Sequence, residues 1–251
     1  MIFEKKMNAL YLLLILIDFI LIGGILPLLE RKILSLVQRR VGPYYVGYKG
    51  RLQFLADALK VFFKEFIYLA KINNSIYLLL PLFYFYLNLI LFFLFIYSDN
   101  VFYIDMNYYI IYMYIILIYS NIILFFSGLF SKNKYSILSA SRIVFFIFSL
   151  DILFSIFIII LILLCESFDF QQIQYLKSFG YFNFLGVLLL PMLIIIFLLD
   201  ANKAPYDLFE AESELINGYA IEYSGFLFGI YILVEYLHIL FFSYIIINIF
   251  F

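Results

Sequence analysis

Six apolar stretches of about 20 residues constrain this chain more than any other feature, since each is long enough to cross a bilayer as an α-helix. They lie at 8–29, 76–97, 108–127, 143–165, 182–199 and 219–251. Of the 251 residues, 67% are hydrophobic and 13% are charged, which is more apolar surface than a soluble fold of this size can bury. The sequence therefore predicts an all-α, polytopic transmembrane helix bundle, with residues 1–251 forming a single membrane domain.

The basic residues are distributed unevenly between the two sides of the predicted bundle. Thirteen of the 16 Lys and Arg lie in the connections 30–75, 128–142 and 200–218, which six spans place on one side. Loops rich in Lys and Arg face the cytoplasm, or the matrix of a mitochondrion. We therefore expect these three connections to face the cytoplasm or matrix.

The first of these connections contains a pattern typical of an amphipathic helix over residues 52–66. Its apolar side chains recur at helical spacing: Leu52, Leu55, Ala56, Leu59, Phe62, Phe63 and Phe66. Its polar side chains form one strip: Gln53, Asp57, Lys60 and Lys64. Two interpretations stay open. The helix covers an internal cavity with its polar strip turned inward, or it lies on the lipid surface.

Four carboxylates lie within the predicted spans: Asp18, Asp151, Glu222 and Glu235. An ionised acid at the centre of a membrane helix costs roughly 2.5–3.5 kcal/mol, so such residues indicate functional sites. No Lys or Arg in the same spans neutralises them. We expect them to be protonated or to face polar space, although nothing near Asp18 supports a role for it.

Residues 200–215 carry five carboxylates and one Lys. Pro205 suits the first turn of a short helix, on which Asp207, Glu210 and Glu214 share a face. Mutual repulsion and desolvation both raise the pKa of carboxylates held together beside a membrane. The stretch is thus a candidate for storing and releasing a proton. The alternative is a solvated acidic loop that pairs with the basic first connection.

The Cys and His content limits the cofactors that this chain can hold. One Cys and one His cannot form a disulfide framework, a zinc site or an iron–sulfur site. His238, alone on an apolar helix, is more typical of packing than of haem ligation. We expect no covalently bound or metal-ligated cofactor and no redox centre in the chain.

The aromatic composition points to the genome that encodes the chain. It has 33 Phe and 24 Tyr but no Trp. Phe, Tyr and the abundant Ile have A/T-rich codons, which favours an organellar genome. A membrane protein poor in Trp for other reasons is the alternative.

Several segments also resemble one known family in order along the chain. Residues 29–47 (LERKILSLVQRRVGPYYVG) and 52–60 (LQFLADALK) closely resemble the first matrix loop of NADH dehydrogenase subunit 1, the quinone-site membrane subunit of respiratory complex I. Residues 131–142 with 149–151 resemble its region between the third and fourth spans. Residues 200–215, followed by Glu222-Tyr223 and Glu235-Tyr236, are similar to its acidic loop and next span.

The resemblance implies that the chain is a membrane subunit of a proton-pumping NADH:ubiquinone oxidoreductase in the mitochondrial inner membrane. The residues implied to line or support a quinone tunnel are Arg31, Gln38, Arg40, Asp57 and Arg142. Those implied to form an acidic proton path are Asp151, Asp200, Glu210, Glu214, Glu222 and Glu235. Residues implied to shape the acidic loop are Asp207, Glu212 and Lys203. The family usually has Glu at positions 151 and 200, so Asp there shortens the reach of the carboxylate.

The resemblance also implies a substrate and partners. Ubiquinone would be the substrate, and electrons would arrive from an iron–sulfur subunit among the peripheral quinone-site subunits. Small membrane subunits would lead from this chain to antiporter-like subunits. The family continues through two more membrane helices after the Glu-Tyr span. We therefore expect a separate short polypeptide, or an unrelated accessory subunit, beside residues 219–251.

Two other functions are consistent with the same residues. One is the homologous subunit of a membrane-bound hydrogenase, which shares these loops without requiring quinone. The other is a stand-alone ion-coupled transporter that uses the same acids. Transporters commonly contain repeated halves, and we find no internal repeat in this sequence.

Overall fold

The computed structural model describes residues 2–65, 74–98, 108–165, 168, 180–200 and 218–250. This part of the chain is helical and contains no β-strand. Its α-helices are α1 (Ile2–Val37), α2 (Gln53–Phe63), α3 (Asn74–Ser98), α4 (Tyr109–Phe130), α5 (Lys134–Cys165), α6 (Gly180–Asp200) and α7 (Phe226–Phe250).

Five segments of the described helices are long and apolar enough to cross a membrane. They are Leu13–Val37, Ser75–Phe93, Ile110–Phe130, Lys134–Leu163 and Phe226–Ile247. A shorter apolar segment, Leu189–Asp200, ends α6. These helices confirm the predicted all-α, multi-pass membrane fold. The exact spans and the single membrane domain stay predictions.

Helix α5 begins at Lys134, nine residues before the predicted span that starts at 143. The predicted span starts late because the first turns of the helix are rich in serine. The hydroxyls of Ser136, Ser139 and Ser141 each donate to the carbonyl three residues earlier, over 2.8 Å. These side chains lower the local hydropathy, yet their hydroxyls are satisfied within the helix. A hydropathy window therefore misses a helical extension of this kind.

The described contacts divide the chain into two compact units. The first comprises Met1–Phe66 and Ser224–Leu237, and the second comprises Ile67–Tyr223 and His238–Phe251. Helix α7 thus contributes its first half to the first unit and its second half to the second.

In the first unit, glycines allow close approach of α7 to α1 and α2. A Cβ atom on Gly23 would lie 2.8 Å from Leu237 Cδ2, and one on Gly229 would lie 2.6 Å from Val61 Cγ1. The rings of Phe62 and Phe226 stack at 5.1 Å between centroids. Small residues at such crossings let the van der Waals contacts form that hold membrane helices together.

In the second unit, α3 to α6 and the end of α7 enclose an apolar core. Its buried side chains include Leu91, Met113, Phe157, Leu193 and Phe242. Gly128 brings α4 against α5, since a Cβ there would lie 2.6 Å from that of Ala140. This packing forms the apolar core of the second unit.

Candidate functional site

An ion pair joins α1 to α2 in the first unit. Arg31 Nη1 donates to Asp57 Oδ2 over 2.8 Å, and Gln53 Nε2 donates to Asp57 Oδ1 over 2.9 Å. Both oxygens of Asp57 are therefore occupied by side chains. The structure brings together two of the predicted tunnel residues, and at Asp57 it turns the polar strip of α2 toward α1. The apolar residues Leu55 and Leu59 of α2 stay exposed.

The other predicted tunnel residues lie elsewhere. Gln38 and Arg40 follow the end of α1 and are exposed. Their backbone amides donate to Leu34 O and Ser35 O, both over 2.9 Å, in a turn that continues the helix end. Arg142 is exposed on α5, in the second unit.

A second contact of the first unit is partly buried and involves a residue that the site prediction missed. Tyr236 Oη donates to Glu30 Oε2 over 2.6 Å and joins α7 to α1. Glu235, a predicted path acid, is 8% exposed in the same unit. Glu30 directly precedes Arg31 in the basic first connection. The sequence signal that could have identified Glu30 is its position as a lone acid where an apolar span meets basic residues.

Asp151 lies on α5 in the second unit, facing α4. Its Oδ1 accepts a hydrogen bond from Asn121 Nδ2 over 3.4 Å, and its backbone carbonyl accepts one from Tyr114 Oη over 3.1 Å. The side chains of Asp151 and Asn121 border a pocket of about 270 Å³ between the two helices. The remaining lining is apolar and includes Ile147 and Phe148. The structure thus gives this membrane-embedded acid a neutral polar partner rather than a cation.

Glu222 also pairs with an amide. Its Oε1 accepts from Asn133 Nδ2 over 2.6 Å, which ties the turn before α7 to the α4–α5 connection within the second unit. The neighbouring Tyr223 stacks on Tyr77, with ring centroids 4.2 Å apart and planes 8° apart. The stacked rings and the Asn133 contact hold the Glu222-Tyr223 pair in a defined position.

Asp200, the last residue of α6, pairs with the chain's single histidine. His238 Nδ1 lies 3.2 Å from Asp200 Oδ2, and the two side chains are 4% and 10% exposed. The ring of Tyr84 lies beside His238, 6.0 Å between centroids. His238, alone on an apolar helix, was expected to be a packing residue. The structure gives it a specific polar contact with a predicted path acid.

The remaining predicted residues lie outside the described part of the chain. These are the path acids Glu210 and Glu214 and the loop residues Asp207, Glu212 and Lys203. Asp18 is described and is exposed on α1. In the described ranges, no group of three or more His, Cys, Asp or Glu side chains could hold a metal ion.

Comparison with known proteins decides the family. The family profile described as NADH dehydrogenase matches residues 10–251. The chain belongs to the NADH dehydrogenase family. This confirms the resemblance, which rested on the first connection, the acidic stretch and the Glu-Tyr pairs.

Individual relatives agree with this assignment. The chain is 38% identical over 241 residues to NADH-ubiquinone oxidoreductase chain 1 of Paramecium tetraurelia, with 96% of this chain and 92% of the relative covered. It is 34% identical over 246 residues to the protein of the same name from Metridium senile, covering 97% and 73%. It is 32% identical over 246 residues to an NADH-quinone oxidoreductase subunit of Helicobacter pylori strain G27, covering 93% and 74%.

Proposed function

We propose that this chain is the membrane subunit of a proton-pumping NADH:ubiquinone oxidoreductase. In this role it forms part of the quinone tunnel and part of the acidic path that couples quinone reduction to proton translocation. The names of its relatives support the enzyme, since they are oxidoreductases of NADH with ubiquinone or quinone. The five long apolar helices support a multi-pass membrane location.

The tunnel assignment is supported by the contact between α1 and α2. Arg31 and Asp57 come from segments 26 residues apart and meet at 2.8 Å. Their side chains are 59% and 43% exposed, so the pair is accessible rather than enclosed in packing. Polar and charged groups at this position can bind the carbonyl oxygens of a quinone headgroup, while the apolar helices accommodate its tail.

The proton-path assignment is supported by the polar partners of three carboxylates in the second unit. Asp151, Glu222 and Asp200 each have a neutral or titratable polar partner within the described residues. None of the three has Lys or Arg at ion-pair distance there. Acids that pair with polar groups inside membrane bundles are typical of proton relays in pumps and transporters.

Coupling between the two functions is electrostatic in this proposal. Reduction of ubiquinone to ubiquinol takes up two electrons and two protons. The electrons come from an iron–sulfur subunit of the peripheral part. The protons come from groups in the tunnel, whose charge changes when they are given up. That change would alter the proton occupancy of the loop that begins at Asp200, and so drive the antiporter-like subunits through the small membrane subunits.

The test compares Asp151→Asn with Asp18→Asn in the assembled enzyme. Both changes remove one carboxylate from a membrane helix, but only Asp151 is paired inside the bundle. We expect Asp151→Asn to lower quinone reductase turnover and proton ejection by about tenfold or more, with normal subunit content. Asp18→Asn should behave as wild type. Wild-type turnover and pumping with Asp151→Asn would contradict the proton path.

Location, partners and rival functions follow the same proposal. Two observations support a location in the mitochondrial inner membrane. The composition is rich in amino acids with A/T-rich codons, and two of the relatives are named chain 1 of NADH-ubiquinone oxidoreductase. The separate polypeptide beside residues 219–251 stays a prediction. The hydrogenase and transporter alternatives gain no support, because the three relatives described above are all named as parts of NADH oxidoreductases.

A further inference from the structure

The contact between His238 and Asp200 is almost completely buried in the second unit. Its two side chains are 4% and 10% exposed, and Nδ1 to Oδ2 measures 3.2 Å. In the described ranges, no other side chain contacts the Asp200 carboxyl at hydrogen-bond or ion-pair distance. A buried carboxylate without a donor is costly in an apolar bundle. His238 therefore supplies the stabilising contact for this acid.

The direction of the hydrogen bond follows from the chemistry of the two groups. A carboxylate is only an acceptor, whereas a neutral imidazole carries one N–H and one bare nitrogen. His238 Nε2 is buried and has no hydrogen-bond partner among the described residues. Protonating Nε2 would bury an N–H donor that has no acceptor among the described residues, which is unfavourable. The arrangement without this cost has the proton on Nδ1, donated to Asp200.

The position of Asp200 explains why such a contact matters. Asp200 ends α6, and residues 201–215 of the acidic stretch follow directly. An acid in this place is the first carboxylate between the membrane helices and the loop. A carboxyl free to turn away from α7 would have no fixed position there.

We propose that His238 is a positioning residue for the proton path: its Nδ1–H holds the Asp200 carboxylate at the end of α6. The inference rests on the proposed role of Asp200 in proton translocation. It assigns a role to the one histidine of the chain, acting through Asp200 rather than by carrying the translocated proton itself.

Two substitutions at position 238 separate this role from packing. His238→Asn places an amide N–H where Nδ1 lies, so it keeps the donor. His238→Leu has a similar volume but no donor. In the assembled enzyme we expect His238→Asn to stay within about twofold of wild-type turnover and proton ejection. His238→Leu should lose about tenfold. Equal loss in both variants, or wild-type activity of His238→Leu, would overturn the proposal.

Asp200→Asn, alone and combined with His238→Leu, distinguishes failure of the positioning role of His238 from failure of the proton-path role of Asp200. If His238 acts through Asp200, the double variant should be no slower than Asp200→Asn alone. A further loss in the double variant would overturn the positioning role. Wild-type activity of Asp200→Asn would instead contradict the proton-path role of Asp200, which is the underlying function.

Electron cryo-microscopy maps of the same variants test the placement without reference to activity. In His238→Asn, the carboxyl of Asp200 should stay within about 3.5 Å of the new amide, near the limit of a hydrogen bond. In His238→Leu, it should turn away from position 238. If the Asp200 carboxyl kept its position in His238→Leu, the proposal would be overturned. This test also applies if the variant assembles poorly and its turnover cannot be measured.

Discussion

At the scale of single residues, the hydrogen bond from Tyr236 to Glu30 joins two apolar helices of this chain through polar groups. The two residues are 206 positions apart and their oxygens are 2.6 Å apart. Tyr236→Phe removes the donor and keeps the ring. We expect the enzyme to lose about 1.5–3 kcal/mol of stability, the usual effect of a hydrogen bond to a charged group. The measurement is the temperature at which the assembled enzyme loses quinone reductase activity.

Tyr45→Phe is the matched control for this change. It removes the same hydroxyl from a side chain that is 98% exposed, so its effect should stay within about 0.5 kcal/mol. Inactivation of Tyr236→Phe at the wild-type temperature would show that the contact does not stabilise the protein.

At the scale of elements, α2 is the helix whose role depends on the direction of its polar strip. The structure directs Asp57 toward Arg31 of α1 and leaves Lys60 of the same strip exposed. We expect Asp57→Leu to raise the apparent KM for quinone by about tenfold, equivalent to roughly 1.4 kcal/mol of binding. Steady-state kinetics and a titration with a tunnel inhibitor measure this effect.

Lys60→Leu serves as the control on the same helix. Because Lys60 is exposed, this change should leave KM nearly unchanged. If Asp57→Leu also left both the KM and the inhibitor titration unchanged, α2 would be better described as an interfacial helix lying on lipid. This is the alternative that the sequence left open.

At the scale of the whole molecule, the one Cys and one His of the chain cannot form an iron–sulfur site. We expect it to require redox partners for every activity. Native mass spectrometry of the purified assembly should show this chain together with an iron–sulfur subunit. The isolated chain, reconstituted in liposomes, should show neither quinone reduction nor ion flux. Ion flux from the isolated chain would favour the transporter, and a nickel-containing partner would favour the hydrogenase.

Patterns in the sequence were enough to predict the all-α membrane fold and the family, and they also indicated an amphipathic helix. Hydrophobic length and helical period are local properties, and the residues around Arg31, Asp57 and Glu222 form recognisable segments. For these features, neighbouring positions in the chain contain all the necessary information. The structure observed for α2, Gln53–Phe63, lies within the predicted range 52–66.

Only the tertiary structure decided which polar groups meet. Asn121 with Asp151, Asn133 with Glu222 and His238 with Asp200 are separated by 30, 89 and 38 residues. Helices such as α5 and α7 are apolar on all sides, so their sequences contain no periodic signal for which face meets which neighbour. Close packing selects those faces, and it turned a histidine expected to be a packing residue into the partner of Asp200.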